Sequence, residues 1–107
     1  MKKLFLDDIR TTPKGWERVH TAQECVNEIS TQQYDYVSLD HDLGENQPTG
    51  YDVLKWLEEV VHTHKEFKIP TIFIHTDNPV GRERMVKALE SIWRIRNETS
   101  NNVGPAQ

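Results

Sequence analysis

The sequence predicts an α/β domain built on a mostly parallel sheet of about four strands. Short apolar segments alternate with amphipathic helical segments along the chain, which is the pattern of βαβ units. The apolar segments are continuous instead of alternating with polar residues, as is typical of strands buried in a parallel sheet. A length of 107 residues fits a single domain with a core of its own. The predicted strands are residues 3–7, 16–20, 34–39 and 69–74.

Three segments have helical periodicity and recognisable starts. Thr21 is a suitable N-cap for the first, residues 50–64 form the second, and Asn78 followed by Pro79 opens the third. Apolar residues recur in them at the i, i+3, i+4, i+7 spacing of a core-facing stripe. These expected core positions are Ala22, Cys25, Val26, Ile29, Val53, Trp56, Leu57, Val60, Val61, Met85, Val86, Leu89, Ile92 and Trp93.

The chain is expected to divide into one domain, residues 1–97, and a polar C-terminal tail, residues 98–107. The tail contains Gly104-Pro105 and has no apolar periodicity, so it is expected to be loose. The connector at residues 8–15 is rich in turn-forming residues and too short for a helix.

Composition excludes several classes of function. A net charge of −4 argues against an extended nucleic-acid-binding surface, which normally requires a basic face. Cys25 is the only cysteine, so an internal disulfide and a thiolate metal cluster are excluded, and its place on a helical stripe predicts burial. No apolar run of membrane length and no signal peptide is present, and a cytoplasmic location without membrane contact is expected.

Aspartates follow the predicted strands at the points where the strands end. Right-handed crossovers bring such residues to one edge of a parallel sheet, where open α/β sheets bind ligands. Carboxylates crowded at that edge repel one another unless a cation or protons intervene, so a divalent-metal and phosphate site is the first hypothesis. Carboxylate oxygens suit Mg²⁺ or Mn²⁺. The predicted metal ligands are Asp7, Asp8, Asp40 and Asp42, and Asp77 lies at the same edge.

Each of these residues also has a structural interpretation. The pair Asp7-Asp8 is compatible with a simple turn, and Asp42 with a cap of its loop. His41 is either an exposed loop residue or a general acid or base, and His75 is either a packed residue or a catalytic one. An imidazole ligand would shift the metal preference toward Mn²⁺ or another transition metal.

Three further residues are candidates for binding the substrate phosphate. Arg10 offers a forked donor for phosphate oxygens, with a surface salt bridge as the alternative. Thr76 offers a hydroxyl beside His75. Asn78 begins a helix, and the free N–H groups of a helix N-terminus favour a phosphate.

The order of these motifs resembles the response-regulator receiver domain. The resemblance rests on Asp7-Asp8 and on the segments VHTAQECVNEI (19–29), YDYVSLD (34–40), TGYDVLKWL (49–57) and IPTIFIHT (69–76). It implies a flavodoxin-like three-layer fold with Asp7 and Asp8 on metal and Asp40 at the phosphoacceptor position. The chain departs from that pattern because it lacks the first helix and the fifth strand with its lysine. His75 stands where receivers carry a Thr or Ser.

A narrower resemblance accounts for these departures. The segments LFLDDIRTTP, SLDHDLG, TGYD and IHTDNPVG are similar to the cyclic-phosphate-processing receiver-like family of bacteria and phages. That resemblance implies metal-dependent action on the cyclic phosphate of a nucleotide or RNA end, with Asp7, Asp8 and Asp40 on metal. His41, His75 and Arg10 would surround the phosphate.

The leading hypothesis is therefore a metal-dependent phosphoesterase in which Asp40, His41 and His75 are catalytic. Its partner would be a phosphorylated small molecule, a nucleotide or an RNA end. One alternative is a signalling receiver phosphorylated on Asp40. The other is a pseudo-receiver that binds a partner without chemistry.

Overall fold

The chain forms the predicted α/β arrangement of four strands and three helices. In this computed structural model the backbone is described for residues 1–101 and the side chains for residues 1–98. The elements are β1 (Lys3–Leu6), β2 (Glu17–Val19), α1 (Ala22–Thr31), β3 (Tyr36–Leu39), α2 (Gly50–Thr63), β4 (Thr71–Ile74) and α3 (Pro79–Asn101). The fold class is confirmed, and the connector between β1 and β2 contains no helix.

All strands of the sheet are parallel, in the order β2-β1-β3-β4. Leu6 is in register with Leu39 of β3, and Leu39 with Ile74 of β4. The ladder continues one residue further, because Asp40 N–H donates to Leu6 C=O at 3.1 Å and His75 N–H to Leu39 C=O at 2.9 Å. The carboxyl ends of the three strands are therefore level with one another.

The three helices lie on one face of the sheet. Every second residue of each strand points toward the helices, and those that are apolar enter the core. Each of these apolar residues is paired with a core residue on a neighbouring strand. Buried residues of α1, α2 and α3, such as Cys25, Leu57 and Met85, belong to the same core cluster. The strand residues concerned are Leu4, Leu6, Val19, Val37, Leu39, Ile72 and Ile74.

The opposite face carries the alternate residues of the same strands. Phe5, Ser38 and Phe73 form one row across it, and no helix of residues 1–101 covers them. The number of layers thus differs from the predicted three. A receiver's first helix would pack on this face, and the short connector of this chain cannot replace it.

The helix starts follow the sequence signals. Thr21 and Glu24 form a reciprocal capping box at α1, with Glu24 N–H donating to Thr21 Oγ1 at 3.1 Å. The predicted N-cap of α3 is confirmed, because Gly81 N–H donates to Asn78 Oδ1 at 3.0 Å. Cys25 is buried as expected.

The core stripe of α3 was predicted only in part. Met85 and Ile92 are fully buried, but Val86 and Trp93 are 38% and 42% exposed, so their assignment to the core is wrong. Ala88 is buried in their place. Two stripes with i, i+3, i+7 spacing overlap on this helix, and packing against α2 and β4 selects the one with the alanine.

The last helix, α3, extends into the segment that the sequence predicts to be a tail. The helix extends to Asn101, so the first residues assigned to the tail are helical, and residues 102–107 lie outside the described part. No helix in the described residues combines the length and apolar character needed to cross a bilayer.

Candidate metal and phosphate site

Asp7, Asp40 and His75 meet at the carboxyl edge of the sheet. Each follows the last residue of its strand, and each offers one ligand atom within 4.8 Å of those of the other two. Asp7 is buried, whereas Asp40 and His75 are half-buried. The level strand ends described above are what bring the three side chains together.

The Asp7 carboxylate is fixed on both of its oxygens. Its Oδ1 accepts the backbone N–H groups of Ile9 and Arg10, each at 2.8 Å, and its Oδ2 lies 3.0 Å from His75 Nε2. Burial by itself would raise the pKa of Asp7. The two backbone hydrogen bonds and His75 outweigh it, so the pKa of Asp7 lies below its usual value and the carboxylate is charged.

His75 is held from three sides. Its Nδ1 lies 2.6 Å from Ser38 Oγ, its Nε2 contacts Asp7, and its ring stacks on Phe5 with centroids 4.3 Å apart. Burial lowers the pKa of His75, although Asp7 and Asp40 partly oppose that effect. The ring is therefore neutral near pH 7. Because an ionised Asp7 only accepts, Nε2 carries the proton and Nδ1 accepts from the Ser38 hydroxyl.

Asp40 follows β3, the strand between those that end at Asp7 and His75. Burial and the neighbouring charge of Asp7 raise its pKa, although the His41 backbone N–H and the Thr76 hydroxyl oppose the rise. The backbone behind it is tightly packed, since a Cβ at Gly50 would lie 1.8 Å from the Asp40 carbonyl oxygen. Only a glycine therefore lets α2 begin this close to the site.

Arg10 joins the connector to the end of β4. Its guanidinium donates to the His75 carbonyl and to Asp77 Oδ2, both at 2.7 Å, and its Nε lies 4.0 Å from Asp7 Oδ2. The hydrogen bond to Asp77 raises the pKa of Arg10 further. The salt-bridge interpretation thus describes the arrangement seen, with the cation beside the site. Binding of phosphate by Arg10 stays a prediction.

His41, Asp42 and Asn78 form a second group at the start of α3. His41 Nδ1 lies 2.8 Å from Asp42 Oδ1, and Asn78 Nδ2 lies 3.3 Å from Asp42 Oδ2. The His41 side chain is 12% exposed, so the exposed-loop interpretation is wrong. A Cβ at Gly81 would lie 2.5 Å from its Cγ, which shows how closely the ring packs on α3.

The remaining predicted residues lie around these two groups. Thr76 is half-buried, and its Oγ1 accepts the Asn78 N–H at 3.2 Å. Asp8 is half-buried, and its Oδ2 would lie 3.9 Å from a Cβ at Gly44 in the loop before α2. Neither Asp8 nor Asp42 contributes an atom to the group formed by the first three ligand atoms. Metal binding by these two residues stays a prediction.

The comparison with known families decides the affiliation of the chain. The sequence model of the cyclic-phosphate processing receiver domain matches residues 2–91, which is most of the sequence. The chain belongs to this family. No curated protein sequence matches it.

The donor atoms of this cyclic-phosphate processing receiver domain fit a divalent cation. Two carboxylates and one neutral imidazole converge, and such a mixed set suits Mn²⁺ or another transition metal better than Mg²⁺. Metal on Nε2 requires the proton to move to Nδ1. The Ser38 hydroxyl accommodates both states, because it can donate to Nδ1 or accept from it.

The sequence interpretation missed three residues that support the site of this receiver domain. Phe5 and Ser38 orient His75, as described above. Arg18 holds the connector, since its Nε donates to the Asp7 carbonyl at 3.1 Å and its Nη1 to Thr12 Oγ1 at 3.2 Å. The one available signal was Ser38, a buried hydroxyl in the otherwise apolar strand YVSL.

Proposed function

We propose that the chain is a metal-dependent phosphoesterase acting on the cyclic phosphate of a nucleotide or RNA end. The observation that carries this proposal is the convergence of Asp7, Asp40 and His75 within 4.8 Å at one sheet edge. Membership of a family described as cyclic-phosphate processing supports this choice of substrate class.

Asp7, Asp40 and His75 would hold the cation, with Asp8 as a further predicted ligand. When bound, a divalent metal polarises the phosphodiester and lowers the pKa of a bound water. Asp7 is suited to this task because it is already ionised and fixed by two backbone N–H groups. His75 is suited because it is neutral, and only the neutral ring binds metal.

The first turn of α3 supplies groups for the phosphate oxygens. Pro79 has no N–H and the Gly81 N–H is bound to the Asn78 side chain, so Val80 is the first residue whose N–H lacks an intrahelical acceptor. The positive end of the helix dipole points in the same direction. Arg10, whose Nε lies 4.0 Å from Asp7 Oδ2, is a further predicted donor, whereas the single proton of the Thr76 hydroxyl is given to Asp40.

In this proposal the pair of His41 and Asp42 would carry out proton transfer. Asp42 holds the Nδ1 side of the imidazole, which leaves Nε2 as the nitrogen that exchanges a proton with substrate. Hydrolysis adds water to phosphorus and breaks one of the two ribose P–O bonds. His41 would give a proton to the departing ribose oxygen, and the proton of the attacking water restores it.

The test is hydrolysis of a nucleoside 2′,3′-cyclic phosphate with a panel of divalent cations, followed by chromatography of the monophosphate product. Asp40→Asn should abolish product formation. Asp35→Asn is the matched control, because Asp35 is an exposed aspartate at the opposite end of the same strand. The proposal fails if the substrate stays intact with every cation, and the assigned site fails if Asp40→Asn retains full activity.

Phosphorylation of Asp40 is the second candidate function. It is favoured by the position of Asp40 after β3 and by the Thr76 hydroxyl bonded to its carboxylate. A small phosphodonor with Mg²⁺, followed by intact-mass measurement, would detect the aspartyl phosphate. A stable adduct that Asp40→Asn removes, without hydrolysis of cyclic substrates, would favour signalling. Lack of both metal binding and chemistry would favour a pseudo-receiver.

A further inference from the structure

An aromatic surface occupies the sheet face that the helices leave open. Phe73, in the middle of β4, is 47% exposed although it sits in a strand. Its ring stacks on Tyr36 of β3, with centroids 5.9 Å apart and planes inclined by 22°. We call Tyr36 and Phe73 the aromatic platform. Tyr36 supports one side of the Phe73 ring, so the rest of that ring faces solvent.

The aromatic platform is continuous with the candidate site. Phe73 and His75 are two residues apart on one strand, so their side chains leave the same face of the sheet. The two Cα atoms are separated by roughly 6.6 Å at the usual rise of a parallel strand. Asp7 and Asp40 share this parity with Phe5 and with Ser38, the register neighbour of Phe73. The side chains of the three ligands and of the platform therefore belong to the same face of the sheet, opposite the helices.

Other exposed apolar side chains do not have this relation to the site. Trp93 is 42% exposed on α3 and lies beside Val86 on the outer side of that helix. Ile9 and Val80 are 84% and 69% exposed, but they stand alone in loop and helix-end positions without a stacked neighbour. Among the described side chains, Phe73 is the exposed aromatic residue on the sheet face of the three ligands, and Tyr36 is half-buried beside it.

We propose that the aromatic platform binds the base of a nucleotide whose phosphate lies at Asp7, Asp40 and His75. This inference rests on the proposed function and names its substrate class as nucleosides with a phosphate on the ribose 2′ and 3′ oxygens. In such a molecule one ribose ring separates the base from the phosphate. That length is comparable with the two-residue step from His75 to Phe73, so one ribose can bridge the two sites.

The chemistry of the platform predicts that it binds any base through its ring face, without recognising the edge of a particular base. Every base has a π-face that stacks on an aromatic ring, and discrimination requires hydrogen bonds to the base edges. The platform itself consists of ring faces, so it supplies stacking and not edge recognition. Removal of such a stacking ring typically weakens binding about 5- to 150-fold. Purines, with the larger ring area, should bind better than pyrimidines.

The experiment is equilibrium binding by calorimetry in Mg²⁺, comparing adenosine 3′-monophosphate with 1-O-methylribose 3-phosphate, which lacks the base. The full chain should bind the nucleotide about 5- to 150-fold more tightly. Phe73→Leu should reduce this ratio to near one, and Tyr36→Leu should reduce it less. Trp93→Leu is the matched control, because it removes an exposed aromatic ring remote from the platform and should keep the ratio.

Several outcomes would overturn the proposal. These are equal affinity of the full chain for the two ligands, an unchanged ratio in Phe73→Leu, or no binding of either ligand at millimolar concentration. Concentration-dependent NMR shifts at Phe73 without any response to adenosine 3′-monophosphate would assign the platform to contact with a second copy. Because the readout is binding, a base preference without hydrolysis of the cyclic substrate would support the platform and reject the proposed enzyme.

Discussion

The two faces of the sheet are built from the same four strands but have different roles. The face toward the helices is apolar except for Glu17 at the edge strand, and Leu4, Leu6, Val37 and Leu39 are completely buried there. The opposite face carries Phe5, Ser38 and Phe73, and it ends in the two aspartates and the histidine. The strand alternation thus separates residues that stabilise the fold from residues that form the site.

The difference between the faces follows from one change in the connection after β1. The connector after β1 is too short for the first helix of a receiver, and Asp7 and Arg18 hold it in place. Without that helix, Phe73 on the second face stays exposed, whereas Phe5 and Ser38 are buried and contact His75. The absence of the first helix therefore has two effects: the fold has one layer fewer, and the aromatic platform is accessible.

Substitutions of two neighbouring residues of β3, one on each face, test whether the two faces differ in their contribution to stability. Leu39→Ala should lower the free energy of unfolding by about 2–5 kcal/mol, because it leaves a cavity in a fully buried core. Ser38→Ala should cost only about 1 kcal/mol, the value of one hydrogen bond. Urea unfolding followed by circular dichroism measures both. Equal costs would mean that the two faces do not differ as described.

Metal binding is expected to stabilise the protein through the site face alone. A cation at 100 times its dissociation constant should raise the free energy of unfolding by about 2.7 kcal/mol. Asp7→Asn should remove this increase, because it deletes the charge of the buried ligand. Asp35→Asn should keep it. Thermal unfolding with Mn²⁺, Mg²⁺ and Ca²⁺ provides the measurement, and a metal effect that survives in Asp7→Asn would place the cation elsewhere.

Ser38 should influence metal affinity through His75. Ser38→Ala removes the hydrogen bond that orients the imidazole, and loss of such a partner typically weakens metal binding about 10- to 100-fold. Ser38→Thr keeps the hydroxyl and should recover part of the affinity. Calorimetric titration with Mn²⁺ in both variants checks this. Unchanged affinity in Ser38→Ala would show that His75 does not bind the metal.

The smallest expected effect is a dependence of stability on pH. Burial lowers the pKa of His75 below its ordinary value of 6.5, so the unfolded chain takes up a proton there before the folded chain does. Stability should therefore fall as pH decreases from about 6.5 toward the folded-state pKa of His75. Urea unfolding between about pH 5 and 8 should show this slope, and His75→Asn should flatten it. An increase in the free energy of unfolding on acidification in that range would contradict this prediction.

The sequence was sufficient for features that depend on local patterns. Strand positions follow from apolar runs, and the caps at Thr21 and Asn78 follow from the residue types that accept backbone N–H groups. The meeting of Asp7, Asp40 and His75 could be predicted too, because parallel strands end at the same edge. Each of these predictions requires only the pattern of residues close in sequence and the rule that parallel strands end at the same edge of the sheet.

Features that depend on how elements pack were not predictable. Nothing local distinguishes the two stripes of α3, so the exposure of Val86 and Trp93 appears only after α3 docks on α2 and β4. The contacts of Ser38 and Phe5 with His75 join residues that are 37 and 70 positions apart in sequence. Likewise, the position of Arg18 over the connector depends on the register of β2 with β1.

The level ends of β1, β3 and β4 have a consequence for folding. If any of these strands were displaced by one residue relative to its neighbour, its alternating side chains would exchange faces and one ligand would turn toward the helices. A cation that needs all three ligands would thus bind only chains with the native strand register. Metal binding would then act as a check on correct assembly of the sheet, and it would draw misregistered chains toward the native state.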